Sequence, residues 1–182
     1  DWKFSNGLFL ILFIFNKFFV YLQQIILNME TNVTLSEHNK QEYPPMHTAE
    51  HILTGTIVKM FGTERAFTTH VERKKSKIDI HFDRNLTAEE IAAVETQVNE
   101  VIASNLQVSA QNMPKDEAQK LFNLTRIPDA DAQYVRIVSI GDYDACPCIG
   151  AHVENTSEIP PVKIISTDYN GGVLRIRFKF AK

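Results

Sequence analysis

Two short stretches of the chain carry side chains able to hold a metal ion. His47-Thr48-Ala49-Glu50-His51 places two imidazoles four residues apart, and on a helix that spacing puts both on one face within reach of a common point. Alone, such a pair also describes solvated or core histidines. Near the other end, Cys148-Ile149-Gly150-Ala151-His152 sets a thiol and a third imidazole four apart in a glycine-containing turn. His47, His51, Cys148 and His152 together make a plausible ligand set for one zinc, because sulfur plus imidazole without a cluster of hard oxygen donors favours zinc over magnesium or calcium. Cys146 precedes Cys148 by two residues, with Pro147 between them, and reads as a small buried thiol. Glu50 completes a His-x-x-Glu-His pattern of the inverzincin type, in which it would activate a zinc-bound water for peptide hydrolysis. That reading leaves Cys148 and His152 without a role. On a helix Glu50 sits about 100° from His51 and reads instead as a solvated or supporting carboxylate.

The elements that must position these groups are legible in outline. Over 46–61 the apolar residues Ile52, Leu53, Ile57, Met60 and Phe61 recur at helical spacing, and Gly62 follows as a C-terminal cap. Residues 77–82 alternate, with Ile78, Ile80 and Phe82 on one face and Lys77, Asp79 and His81 on the other, which predicts a half-buried strand. Thr87-Ala-Glu-Glu90 is a capping box that opens a long helix with Ile91, Val94, Val98, Val101 and Ile102 on one stripe, ending near Asn105. A short helix is expected over 114–122 and a strand over 134–140. The segments 162–169 and 173–180 bracket Asn170-Gly171-Gly172, a hairpin signal. Hairpin-paired strands with helices between them predict an α+β domain with an antiparallel or mixed sheet, one long helix and one metal-binding helix.

Composition agrees with a folded domain: of 182 residues, 44% are hydrophobic and 23% charged, which excludes disordered and collagen-like classes. A formal net charge of −3 argues against a broad electrostatic grip on duplex nucleic acid but leaves room for a local basic patch. Two cysteines one residue apart do not staple a fold, so a reduced, cytoplasmic setting is expected. Residues 1–28 are a different material, rich in Phe and holding the sole Trp, Trp2. The apolar run there is broken by Asn16, Lys17, Gln23 and Gln24 before it reaches the ~20 residues of a spanning helix. It is read as a mistranslated or non-native leader with Met29 as the natural start, so no membrane partner is expected. Residues 29–45 read as a flexible lead-in and 46–182 as a single domain.

Several of these stretches resemble a known family. His47-Thr-Ala-Glu-His-Ile-Leu53, Ile78-Asp-Ile-His-Phe-Asp83, Leu86-Thr-Ala-Glu-Glu90, Val135-Arg-Ile-Val-Ser-Ile-Gly141 and the segment from Cys148 to Ile159 are similar to the editing domain shared by alanyl- and threonyl-tRNA synthetases. The resemblance extends over nearly all of the chain after Met29, and no aminoacylation domain fits in what remains. It therefore points to the short, free-standing alanyl-tRNA editing proteins and implies hydrolysis of serine wrongly attached to alanine tRNA, with Thr68 and His51 as the catalytic residues. Thr68, with Thr69 as its rival, matches the position whose hydroxyl helps separate seryl from alanyl substrates. Many family members have Gly-Gly-Thr where this chain has Ile149-Gly150-Ala151, so the contacts of that turn differ while the ligand spacing is kept.

An aminoacyl ester is already activated, so its hydrolysis needs a positioned water, stabilisation of the oxyanion and exclusion of the cognate alanyl ester. A hydroxyl facing the bound amino acid excludes alanine because its hydrogen bond then goes unmade. The acceptor end of the mischarged tRNA would be held at phosphates by Arg73, Lys74 and Lys75, with Lys77 following. Two alternatives accompany this reading: editing of Ser-tRNA(Thr), and a noncatalytic zinc-stabilised tRNA-binding module.

Overall fold

Hydrogen-bonded caps and turns delimit most of the elements. The computed structural model describes residues 43–125, 127 and 131–181; the expectations for residues 1–28 and for most of 29–45 lie outside these. Helix α1 spans Pro44–Phe61, with proline in its first turn and Gly62 at φ 67° closing it through its N–H to the Val58 carbonyl. The helix therefore begins at Pro44, inside the stretch 29–45 expected as a lead-in. Helix α2, Ala88–Ala103, opens with the capping box: Thr87 Oγ1 accepts from the Glu90 N–H at 3.2 Å, and Glu90 Oε2 accepts from the Thr87 N–H at 2.8 Å. Helix α3 is the short Lys115–Leu121.

Among the described residues seven strands form two antiparallel sheets. The first has the order β1-β2-β7-β6, with β1 Thr68–His70, β2 Ser76–His81, β6 Val162–Asn170 and β7 Val173–Phe180. Gly171 and Gly172 form the two-residue loop between β6 and β7 at φ 54° and 84°, the left-handed pair that a tight hairpin of this twist requires. The second sheet has the order β3-β4-β5, with β3 Val108–Pro114, β4 Tyr134–Ile140 and β5 Asp144–Pro147. All strand pairs described are antiparallel.

The main core joins Met46, Ala49, Ile52, Leu53 and Ile57 of α1 to Val94, Val98 and Val101 of α2 and to Ile78, Ile80, Leu174, Ile176 and Phe178 of the first sheet. Alternation along β7 sends Leu174, Ile176 and Phe178 inward and leaves Arg175, Arg177 and Lys179 on the other face. A smaller cluster of Ala118, Val135 and Ile137 sits beneath α3. Helix α1 departs from the amphipathic expectation: Thr48, Glu50, His51, Thr54 and Thr56 are buried as well as its apolar stripe, whereas Met60 is exposed. Packing on more than one side explains this, since α1 contacts α2, β2 and β5. The buried hydroxyls are satisfied, Thr54 by Glu50 Oε1 at 2.8 Å and Thr56 by the Ile52 carbonyl at 2.7 Å. Among the described residues no helix is long and apolar enough to cross a membrane.

Candidate metal centre

Four donors from two distant parts of the chain meet where α1 faces the turn after β5. His47 and His51 lie one helical turn apart on α1, and Cys148 and His152 lie on the turn. One ligand atom from each falls within 4.8 Å of every other. Cys148 Sγ is 3.4 Å from His47 Nε2 and 3.4 Å from His152 Nε2, close to the ~3.6 Å edge that a sulfur and a nitrogen span on a tetrahedron with zinc-length bonds. The three rings are mutually adjacent, with centroids 4.2 to 5.1 Å apart. Among the described residues neither cysteine is in a disulfide.

Support comes from side chains that the motif pattern did not single out. The Thr48 hydroxyl donates to the Pro44 carbonyl at 3.0 Å and therefore accepts from His152 Nδ1 at 3.1 Å. This places the proton of His152 on Nδ1 and leaves the lone pair of Nε2 facing Cys148. Arg136 donates to the carbonyls of Cys148 and Gly150 at 2.8 and 2.9 Å, holding the turn from below. It is the one charged residue of β4, a signal that could have marked it. Downstream of His152, buried Thr156 accepts from the Leu106 N–H at 2.9 Å and fixes the exit of the turn.

Burial sets the protonation of the imidazoles. Desolvation, followed by the neighbouring His152 and His47 rings, holds His51 well below its ordinary value, and burial with His47 and Arg136 lowers His152 to about 3. Both are neutral near pH 7, the form that ligates metal. Cys146 is buried, its Sγ 3.3 Å from His51 Nδ1, and burial pushes its thiol up to about 12 despite nearby Arg65. His51, Asp144 and Cys146 are also mutually close, but both Asp144 oxygens are engaged by Arg65 at 2.6 and 3.1 Å. The four-donor set is therefore the better metal site. Glu50 is buried rather than solvated, accepting from Thr54 with its other oxygen 3.9 Å from His51 Nε2.

The remaining predicted residues divide. Thr68 opposes Asp79 and Thr69 opposes Ile78, and directly opposed residues share a face. Ile78 belongs to the core against α1, so Thr69 is on the helix side and exposed Thr68 is on the opposite side. The register thus sets Thr69, rather than Thr68, on the side of the sheet that faces α1. Arg73, Lys74 and Lys75 are exposed in the turn between β1 and β2. The Arg73 guanidinium lies 4.5 Å from the Tyr43 ring centroid, and the His47 N–H bonds to the Tyr43 carbonyl, which brings the basic turn to the N-terminus of α1.

An α+β domain whose helix-borne histidine pair meets a Cys-x-x-x-His turn is thereby defined, and it is able to hold a metal ion. Residues 135–177 match the threonyl and alanyl tRNA synthetase second additional domain. The chain is 33% identical to an alanine-tRNA ligase of Staphylothermus marinus over 86% of its length and 18% of the ligase. It is 31% identical to that of Streptococcus pneumoniae over 85% and 18%, and 30% identical to that of Saccharolobus islandicus over 84% and 16%. The chain spans less than a fifth of the length of these relatives and is similar to the editing domain shared by alanyl- and threonyl-tRNA synthetases.

Proposed function

We propose that this chain deacylates mischarged Ser-tRNA(Ala) in the cytoplasm, as an aminoacyl-ester hydrolase acting in trans, with one zinc held by His47, His51, Cys148 and His152. The observation that carries the reading is the convergence of those four donors in a domain similar to that of alanine-tRNA ligases. When bound, zinc would act as a Lewis acid toward an oxygen of the ester or its water, or as an organiser of the pocket. The chain's own residues hold and orient. His51, buried and neutral, serves as ligand rather than proton carrier. Thr69, on the helix side of β1, is the hydroxyl better placed to read that of serine, while Thr68 faces away. Arg73, Lys74 and Lys75 bind phosphates of the single-stranded acceptor end beside α1.

Discrimination follows from hydrogen bonding: serine satisfies the threonine hydroxyl, and alanine leaves it unpaired. Release of serine from purified Ser-tRNA(Ala), against Ala-tRNA(Ala), tests the proposal. Ser-tRNA(Thr) is the competing substrate. A noncatalytic tRNA-binding module is the second reading, favoured by the Ile149-Gly150-Ala151 turn, and it predicts binding without hydrolysis.

A further inference from the structure

The face of the first sheet turned away from α1 and α2 carries a row in which the cations Lys77, Arg175, Arg177 and Lys179 outnumber the carboxylates Asp79 and Asp168. On β7, Arg175, Arg177 and Lys179 alternate with the buried Leu174, Ile176 and Phe178. Across the ladder Lys77 directly opposes Arg177, and Lys163 directly opposes Lys179. Like charges opposed in this way destabilise a sheet, and the carboxylates beside them on this face, Asp79 and Asp168, are fewer than the cations. Some cations on this face are neutralised: Arg175 donates twice to Asp79 at 2.7 Å, and Lys163 reaches Glu95 at 2.7 Å. Lys77, Arg177 and Lys179 are in no ion pair among the described residues. Arg177 has only Ser166 Oγ at 3.4 Å.

The row is continuous with the basic turn. Lys77 follows Arg73, Lys74 and Lys75 along the chain, and Arg73 lies over Tyr43 at the start of the helix that bears His47. In a chain of net charge −3, this is a band rich in cations running from the start of α1 onto an open sheet face. A polyanion longer than an acceptor terminus fits it.

We infer that the open face of the β1-β2-β7-β6 sheet, through Lys77, Arg177 and Lys179, docks the phosphate backbone of the RNA stem whose single-stranded end enters the His47/His51/Cys148/His152 site. This rests on the tRNA reading above and extends it from the terminus to the duplex.

The test uses the full chain and unacylated tRNA, with dissociation constants measured across a range of salt. An Arg177→Gln/Lys179→Gln double variant should bind several-fold more weakly. Its slope of log affinity against log salt should be shallower by about 2, one unit per lost phosphate contact. Lys120→Gln on α3 should match the native protein, and circular dichroism should report unchanged folding for both. A serylated oligonucleotide carrying only the single-stranded end should be bound equally by native and double variant.

A native salt slope in the double variant overturns the surface assignment, and if serine is still released the catalytic reading stands. Loss of slope without any serine release supports the surface and removes the catalytic reading. Binding to anionic phospholipid vesicles in preference to tRNA overturns the assignment of RNA as the occupant.

Discussion

The Thr48 hydroxyl lies 3.1 Å from His152 Nδ1, and because its own proton goes to the Pro44 carbonyl, it accepts from that ring and turns the lone pair of Nε2 toward Cys148. A single side chain of α1 thereby orients a donor that lies 104 residues away in the chain.

Thr48→Ala removes this orientation without touching a ligand. Zinc affinity, measured by competition with a chromogenic chelator, should fall about 10- to 100-fold, and Thr48→Ser should retain most of it. Equal affinity in the alanine variant and the native chain would show that the contact does not tune the site.

Gly55 governs how closely β5 approaches α1. A Cβ at this position would stand 2.9 Å from Asp144 Oδ1 and 3.0 Å from its Cγ, while Arg65 holds the same carboxylate. Gly55→Ala should destabilise by about 1–3 kcal/mol in denaturant unfolding, despite the better helix propensity of alanine. The penalty should shrink when it is introduced into an Asp144→Ala background, since the two positions share one contact. An additive double variant would place the strain elsewhere.

Asp79 gives the sheet a pH dependence of definite sign. Hydrogen bonds from Arg175, with the charges of Arg175 and Lys77, hold its carboxyl below the ordinary 3.8. The folded state therefore binds this proton less readily than the unfolded state, so the pair contributes stability above pH 3.8 that is lost as pH falls through the lowered folded value. Asp79→Asn should be less stable than the native chain at neutral pH, with the gap narrowing below pH 3.8. A gap that stays constant into acid would refute the assignment.

The two adjacent threonines separate by register. With Thr69 on the helix side, Thr69→Val should reduce the preference for seryl over alanyl ester by about tenfold, the worth of one hydrogen bond. Thr68→Val should leave the preference unchanged. The opposite result would restore Thr68 as the reading hydroxyl.

Local signals account for what the sequence reveals of this fold. Gly62, the Thr87/Glu90 box and the Gly171-Gly172 loop each act within a few residues, and the elements they bound are those anticipated. Strands β1, β3 and β5 went unread for different reasons. Thr68–His70 is three residues long, β5 is four residues long and ends in Pro147, and Val108–Pro114 is an edge strand whose Ser109, Gln111 and Asn112 are exposed and show no alternation. The four candidate donors were legible because four-residue spacing is a local property of helix and turn. Their supports were not, because Thr48 with His152, Gly55 with Asp144 and Arg136 with the Cys148 turn are contacts between distant segments. Of the two readings of Glu50, solvated or supporting, burial excludes the first, because a helix packed on several sides buries residues that its own period places outside.

The most direct test of the account is single-turnover deacylation of Ser-tRNA(Ala) and Ser-tRNA(Thr), with Ala-tRNA(Ala) as control, comparing the native chain with His51→Ala and with metal content measured in both. The account predicts rapid release of serine from the alanine acceptor, little release of alanine, and loss of both activity and zinc in the variant. Stable Ser-tRNA(Ala) in the presence of folded, zinc-loaded native protein would contradict it.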